Sequence, residues 1–288
     1  MRPLLPALAL PLLATLSAIP LAAAPASAKP AATTAPAIDP ALAAAIADPR
    51  RVEDQARDKW RHPAETLSFF GVTPEMKVGE YAPGGGWYSR LLGLYLGPRG
   101  KLVGLFFDPS QPVFPEKNKQ GIRDGAAKYP ADVAGWSGQP AERFAAMTLD
   151  TVPDAEKGTF DRILIVRMFH NMIRNGLADG DLREMRDLLK PGGMIGIVQH
   201  RARPGTPYAY ADGNKGYMLE EDVVKFVEAN GFELVGRSEI NANPNDPADW
   251  PDGVWTLPPN LRKGEADRDR YLAVGESDRM TLLFRKRP

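Results

Sequence analysis

From about residue 76 onward, short apolar runs alternate with amphipathic segments, and this alternation constrains the fold more than any other feature of the chain. The strand-like runs are residues 76–81, 102–107, 144–147, 162–166, 194–199, 233–240 and 280–285. Helical patterns cover 87–96, 116–128, 181–189 and 220–230. Consecutive strands joined through helices pair in parallel, with helices on both faces of the sheet. Right-handed crossovers then leave few topologies. No clear helix separates the last two strands, which suggests an antiparallel pair at one edge. A further helical stretch spans about 41–60, and Pro63 opens another that ends at Gly71.

Two segments fall outside this pattern. Between Leu4 and Ala24 there is no charged residue, and Ala26-Ser27-Ala28 supplies small residues suited to signal peptidase. Pro6, Pro11 and Pro20 argue against a retained membrane helix. Residues 1–28 therefore read as a signal peptide, 29–40 as an Ala/Pro/Thr-rich linker, and 41–288 as the folded domain. That domain is destined for the periplasm or another exported compartment, with no membrane contact after cleavage. Residues 241–278 have no period and are rich in Asn, Asp, Pro and Trp. They read either as a lid or binding loop, or as an excursion pinned by Trp250 and Trp255.

Composition excludes some function classes. Lys plus Arg equals Asp plus Glu at 36 each. No basic excess points to nucleic acid. The chain has no cysteine, so no disulfide, lipid-anchored cysteine or thiolate site exists. Three histidines are present, without tight metal-ligand spacing, and no metal is expected. A small-molecule substrate is the expected partner. The oligomeric state is left open.

The strongest motif is Glu80-Tyr81-Ala82-Pro83-Gly84-Gly85-Gly86-Trp87, which follows the first strong strand and opens a helix. Glycines allow a tight turn and close ligand approach, and the helix start offers free amides and a positive dipole end. A nicotinamide-binding loop prefers Gly-x-Gly-x-x-Gly, and here the third position is Ser89. The acid-x-Gly-x-Gly-x-Gly loop of class I methyltransferases fits better, with Ala82 in place of its first glycine. In that frame Glu80, Ala82, Gly84, Gly85 and Gly86 bind the cofactor. An acid that holds the ribose is expected near Phe106, which is not acidic. Asp108 either serves instead or caps a turn with Pro109.

Further segments strengthen the likeness: Arg61-His62-Pro63-Ala64-Glu65-Thr66, Arg167-Met168-Phe169-His170-Asn171, Leu189-Lys190-Pro191-Gly192-Gly193, His200-Arg201-Ala202, Gly253-Val254-Trp255-Thr256-Leu257-Pro258-Pro259 and Gly275-Glu276-Ser277-Asp278-Arg279-Met280-Thr281. Together they resemble a family of exported, predicted class I methyltransferases that depend on S-adenosyl-L-methionine. The resemblance implies an α/β, Rossmann-like class I methyltransferase fold: a seven-stranded, mostly parallel sheet with one antiparallel terminal strand. It also implies S-adenosyl-L-methionine as cofactor. The family usually has Asp before the equivalent of His200, whereas this chain has Gln199.

Open α/β sheets bind ligands beyond the carboxyl ends of their strands. His170 and His200 should therefore share the crevice of the glycine loop, with Glu276 brought to the same mouth by the last strand. A histidine there can accept a proton from a hydroxyl; alternatively each imidazole only bonds neighbouring backbone. The candidate catalytic residues are His170, His200 and Glu276. Candidate substrate contacts are Tyr88, Arg167, Arg201, Trp255 and Asp278. Arg167, Arg201 and Arg279 could grip an anion, or could pair with Glu80, Glu276 and Asp278. Fold does not fix chemistry, so a binding protein, or a hydrolase or lyase built on His170, His200 and Glu276, remains an alternative.

Overall fold

The computed structural model describes residues 38–288. The expected leader, and the linker as far as residue 37, lie outside that range. Among the described residues no helix is long and apolar enough to cross a membrane.

The chain enters through four short helices: α1 (Pro40–Ala47), α2 (Val52–Gln55), α3 (Asp58–Arg61) and α4 (Pro63–Phe69). One stretch over 41–60 was expected, but Pro49 divides it. Asp48, which precedes the proline, is extended (φ −60°, ψ 131°), as that position demands. Its carboxylate then caps the next turn through the Arg50 amide at 2.9 Å.

The body follows as β1 (Lys77–Tyr81), α5 (Trp87–Tyr95), β2 (Lys101–Phe106), α6 (Glu116–Ser137), β3 (Phe144–Thr148) and β4 (Phe160–Val166). Next come α7 (Phe169–Arg174), α8 (Ala178–Leu188), β5 (Leu189–His200), α9 (Tyr208–Ala211), α10 (Glu220–Ala229), β6 (Phe232–Ser238), α11 (Arg268–Val274) and β7 (Arg279–Lys286). The sheet order is β3-β2-β1-β4-β5-β7-β6. The pairs among β1 to β5 are all parallel. β7 is inserted antiparallel between β5 and β6. The sheet is thus seven-stranded and mostly parallel with an antiparallel terminal strand, the Rossmann-like α/β architecture expected from the sequence.

Packing explains these elements. The central strands are covered on both faces, so β1 and β2 bury nearly every residue. At the edge, β6 alternates between buried and open positions. Gly196 in β5 lies directly under Phe70, where an added Cβ would meet the ring at 2.7 Å. α6 runs beyond its expected end, through Pro130. Tyr129, Val133 and Ser137 recur every fourth residue as its buried face, and that packing outweighs the proline.

Two large apolar clusters cover the faces of the sheet. A third, smaller one joins Ala202, Ala211 and Tyr217 to Ala248, Trp250, Val254, Leu257 and Tyr271. Residues 241–278 therefore build their own core, although they show no period. Buried Asp246 organises it by accepting from Trp250 Nε1 (2.9 Å), Tyr217 Oη (2.9 Å) and the Asp278 amide (2.9 Å).

Candidate active site

β1 and β4 are neighbours, yet the chain leaves them in opposite directions across the sheet. A crevice at such a switch point is the expected ligand site of an open α/β sheet. Three cavities meet there, and Met168 lines all of them.

The first cavity, about 310 Å³, lies beside the glycine loop and is lined by Arg57, Arg61, Glu80, Gly84, Gly85 and Tyr88, among others. Glu80 is buried and accepts from Ser89 Oγ at 2.5 Å. Burial pushes its carboxyl up to about 7, against the opposing pull of its Ser89 and Tyr129 donors. Burial likewise pushes the Tyr88 phenol up to about 12. Arg90 ties the loop in place, donating to Gly85 O at 2.8 Å and to both Asp54 oxygens at 2.6 and 2.7 Å. Gly84 and Gly86 have left-handed backbones (φ 58° and 73°). Gly86 faces away from this cavity: an added Cβ would stand 2.6 Å from the Trp136 ring. Its missing side chain makes room for Trp136, and it does not line this cavity. Gly85 has open space where a Cβ would go.

The second cavity, about 190 Å³, brings together His170, His200, Glu276 and Trp255, with Arg167, Asn171 and Ser277. The imidazoles of His170 and His200 lie 5.5 Å apart, and Trp255 is 6.0 Å from His170. Gln199 Nε2 donates to Gly216 O at 2.7 Å, so its Oε1 faces the His170 amide (3.3 Å) and Nδ1 (3.2 Å). That contact places the His170 proton on Nδ1 and leaves Nε2 as the acceptor. Burial lowers His170 to about 4, and Arg174 and Arg167 oppose its charging further. His200 bonds Ser277 Oγ at 2.6 Å, and burial lowers it well below the usual histidine range. Both rings are neutral at neutral pH.

Glu276 departs from its expected catalytic part. It accepts from Arg57 Nε (3.0 Å), Arg61 Nε (3.1 Å) and Arg279 Nη1 (2.9 Å). Burial alone would raise its carboxyl, but Arg279, Arg61, Arg167 and Arg57 hold it at about 2. A carboxylate so held is a counter-ion, not a base or nucleophile.

The third cavity, about 500 Å³, opens on the other side of Gly84 and is lined by Phe106, Phe107, Phe114 and Ile122, with Lys117 and Asn118. Asp108 does not line it. Its oxygens accept from the Ser110 amide (2.7 Å) and Gln111 Nε2 (2.5 Å), so it caps its own turn. Burial opposes its ionisation, but these donors hold the carboxyl below its ordinary value.

Arg201 and Asp278 also lie elsewhere than expected. They face a separate cavity beside Glu220. Arg201 pairs with Asp278 (3.0 Å), Glu239 (2.7 Å) and Glu220 (3.3 Å), which leaves it engaged in holding the fold. Among the described residues no cluster of three or more His, Asp or Glu is placed to hold a metal.

Sequence reasoning missed Arg57 and Phe114 as lining residues, because nothing local distinguishes them; Met168 stood inside a recognised motif but was not singled out. Arg61 stood inside a recognised motif, and its role as a Glu276 partner becomes visible only when α3 meets the segment before β7.

The fold has solved counterparts. The chain is similar to the cyclase SpnF (TM-score 0.50, 16% identity, 77% of this chain and 78% of that one). It is similar to a SAM dependent methyltransferase from Aquifex aeolicus (TM-score 0.47, 19% identity, 67% and 93%). It also resembles geranyl diphosphate methyltransferase in complex with SAM (TM-score 0.45, 15% identity, 86% and 96%). Likeness at such identities is one of fold. No protein-family model and no curated protein matches the chain.

Proposed function

We propose that this chain is an S-adenosyl-L-methionine-dependent methyltransferase acting outside the cytoplasm. One observation supports the reading: at the switch point, Gly84 borders both a charged cavity and an aromatic one, and Met168 borders both of these and the His170–His200 cavity. S-adenosyl-L-methionine has matching ends, a charged aminoacyl group and a purine.

The residues present fit it. Arg57 and Arg61 suit a carboxylate, and Glu80, with a carboxyl near 7, suits an ammonium. Phe106, Phe107 and Phe114 suit a purine, with Lys117 and Asn118 as polar contacts for a ribose. Gly85 keeps the loop open for close approach. When bound, the cofactor supplies an electrophilic methyl group on a sulfonium. The chain's own part is to position the acceptor and take its proton. His170 Nε2 would accept the proton of an acceptor hydroxyl while the bound cofactor supplied its methyl group.

Titration calorimetry tests the cofactor assignment. S-adenosylhomocysteine should bind, and NAD should not. Gly85→Val should weaken binding about tenfold or more while circular dichroism stays unchanged. Absence of binding at millimolar ligand would remove the methyltransferase reading. Export is part of the same proposal, and mass spectrometry of protein from its native host should find a mature start near Lys29.

A further inference from the structure

Arg57, Arg61, Arg167 and Arg279 all act on a single carboxylate, that of Glu276. Three of them bond it directly. Arg167 does not: among the described residues its side chain forms no ion pair, and its Nε is buried without a partner. The histidines beside it are neutral. Four positive charges thus face one negative charge, and of the four Arg167 is the one that lines the His170–His200 cavity, while it borders the first cavity as well. Burial, with Arg61 next, lowers Arg167 to about 9, which still leaves it charged at neutral pH. A cation shielded from water is disfavoured without a counter-ion. Its backbone is also left-handed (φ 59°), a strained conformation for a non-glycine residue. The unpaired charge is intelligible if a ligand supplies the missing negative charge.

Other groups on the same wall ask for something else. His170 Nε2 is an acceptor, and Asn171 Oδ1 is buried without a partner. Acceptors of this kind call for a hydroxyl donor. At about 190 Å³, the cavity is of the size that takes a single small molecule.

We infer that the His170–His200 cavity is an acceptor site for a small anion that carries a hydroxyl group. Arg167 takes the carboxylate or phosphate, and His170 Nε2 with Asn171 Oδ1 takes the hydroxyl. The word acceptor rests on the proposed methyltransferase reading; the anion site itself does not.

The test is calorimetry on the mature full chain, with and without saturating S-adenosylhomocysteine. The probes are lactate, glycerol 3-phosphate, propionate and lactamide. Lactate or glycerol 3-phosphate should bind with a Kd below about 1 mM, and comparison of the two identifies the anionic group. Propionate lacks the hydroxyl and lactamide lacks the charge, so each should bind at least about tenfold more weakly than lactate or glycerol 3-phosphate, whichever binds. Arg167→Met should abolish anion binding, with Arg167→Lys in between; Arg167 also borders the first cavity, so S-adenosylhomocysteine affinity is not the control for this variant. His170→Gln should erase the preference for lactate over propionate. The inference is overturned if S-adenosylhomocysteine binds but no anion does, if Arg167→Met binds anions like the wild type, or if the anion displaces S-adenosylhomocysteine. If the anions bind through Arg167 and S-adenosylhomocysteine does not bind, the anion site stands and the acceptor assignment falls with the proposed function.

Discussion

Ala82 and Arg167 follow the ends of the neighbouring strands β1 and β4, and both have left-handed backbones, with φ of 46° and 59°. Ala82 bonds to Leu105 O at 2.7 Å, and Arg167 to Val198 O at 2.6 Å, so the flanking strands β2 and β5 hold each turn. Two such residues on the lip of one crevice mark where the chain bends its backbone to shape a site. At Ala82 glycine would relieve the bend. Ala82→Gly should therefore not show the usual loss of about 0.5–1 kcal/mol, and urea unfolding should place it at or above wild-type stability.

The glycine loop divides into structural and open positions. Gly86→Ala should lose about 2 kcal/mol or more, because it combines a left-handed backbone with a clash against Trp136. Gly85→Ala should stay within about 0.5 kcal/mol of wild type. Denaturant midpoints of the two variants decide the matter, and equal losses would contradict this division of the loop.

Glu276 should matter for stability more than for chemistry. Glu276→Gln leaves two buried guanidiniums, Arg61 and Arg279, and the half-buried Arg57 without their counter-ion and should cost about 3–5 kcal/mol. Its folded-state carboxyl, at about 2, lies below the ordinary 4.5. The stabilisation is present above pH 4.5 and is lost as pH falls toward 2. Acid unfolding followed by circular dichroism should show wild type losing stability across that window, with a smaller slope in the variant.

His170 acts in a higher window. Its ordinary value is 6.5, and the folded chain holds it at about 4. Below 6.5 the unfolded chain takes up a proton that the folded chain refuses, so stability falls from pH 6.5 toward 4. His170→Gln should reduce that slope in urea titrations. The His170 ring resonance should titrate near 4 by NMR; a midpoint near 6.5 would contradict its burial among arginines.

Much of this fold was legible in the chain. The alternation of strand and helix patterns leads to the sheet, and His170, His200 and Glu276 were expected at one mouth because strand ends share it. What escaped depends on contacts distant in sequence. Nothing near Glu276 shows that Arg57 and Arg61 will bind it from more than two hundred positions away. For Asp108 the sequence left a ribose ligand and a turn cap equally open, and Ser110 and Gln111 on its oxygens show the cap. Arg201 and Arg167 are alike as letters, and only the third dimension gives carboxylates to one and none to the other. Residues 241–278 hid a small core because its apolar residues are irregularly spaced.

The central claim is that the crevice around Gly84 binds S-adenosyl-L-methionine. A crystal structure with S-adenosylhomocysteine tests it most directly. The account predicts the aminoacyl end beside Arg57, Arg61 and Glu80, the adenine against Phe106 and Phe114, and the sulfur toward Met168 and the His170 cavity. An empty crevice at saturating ligand, or a ligand bound elsewhere on the chain, would contradict it.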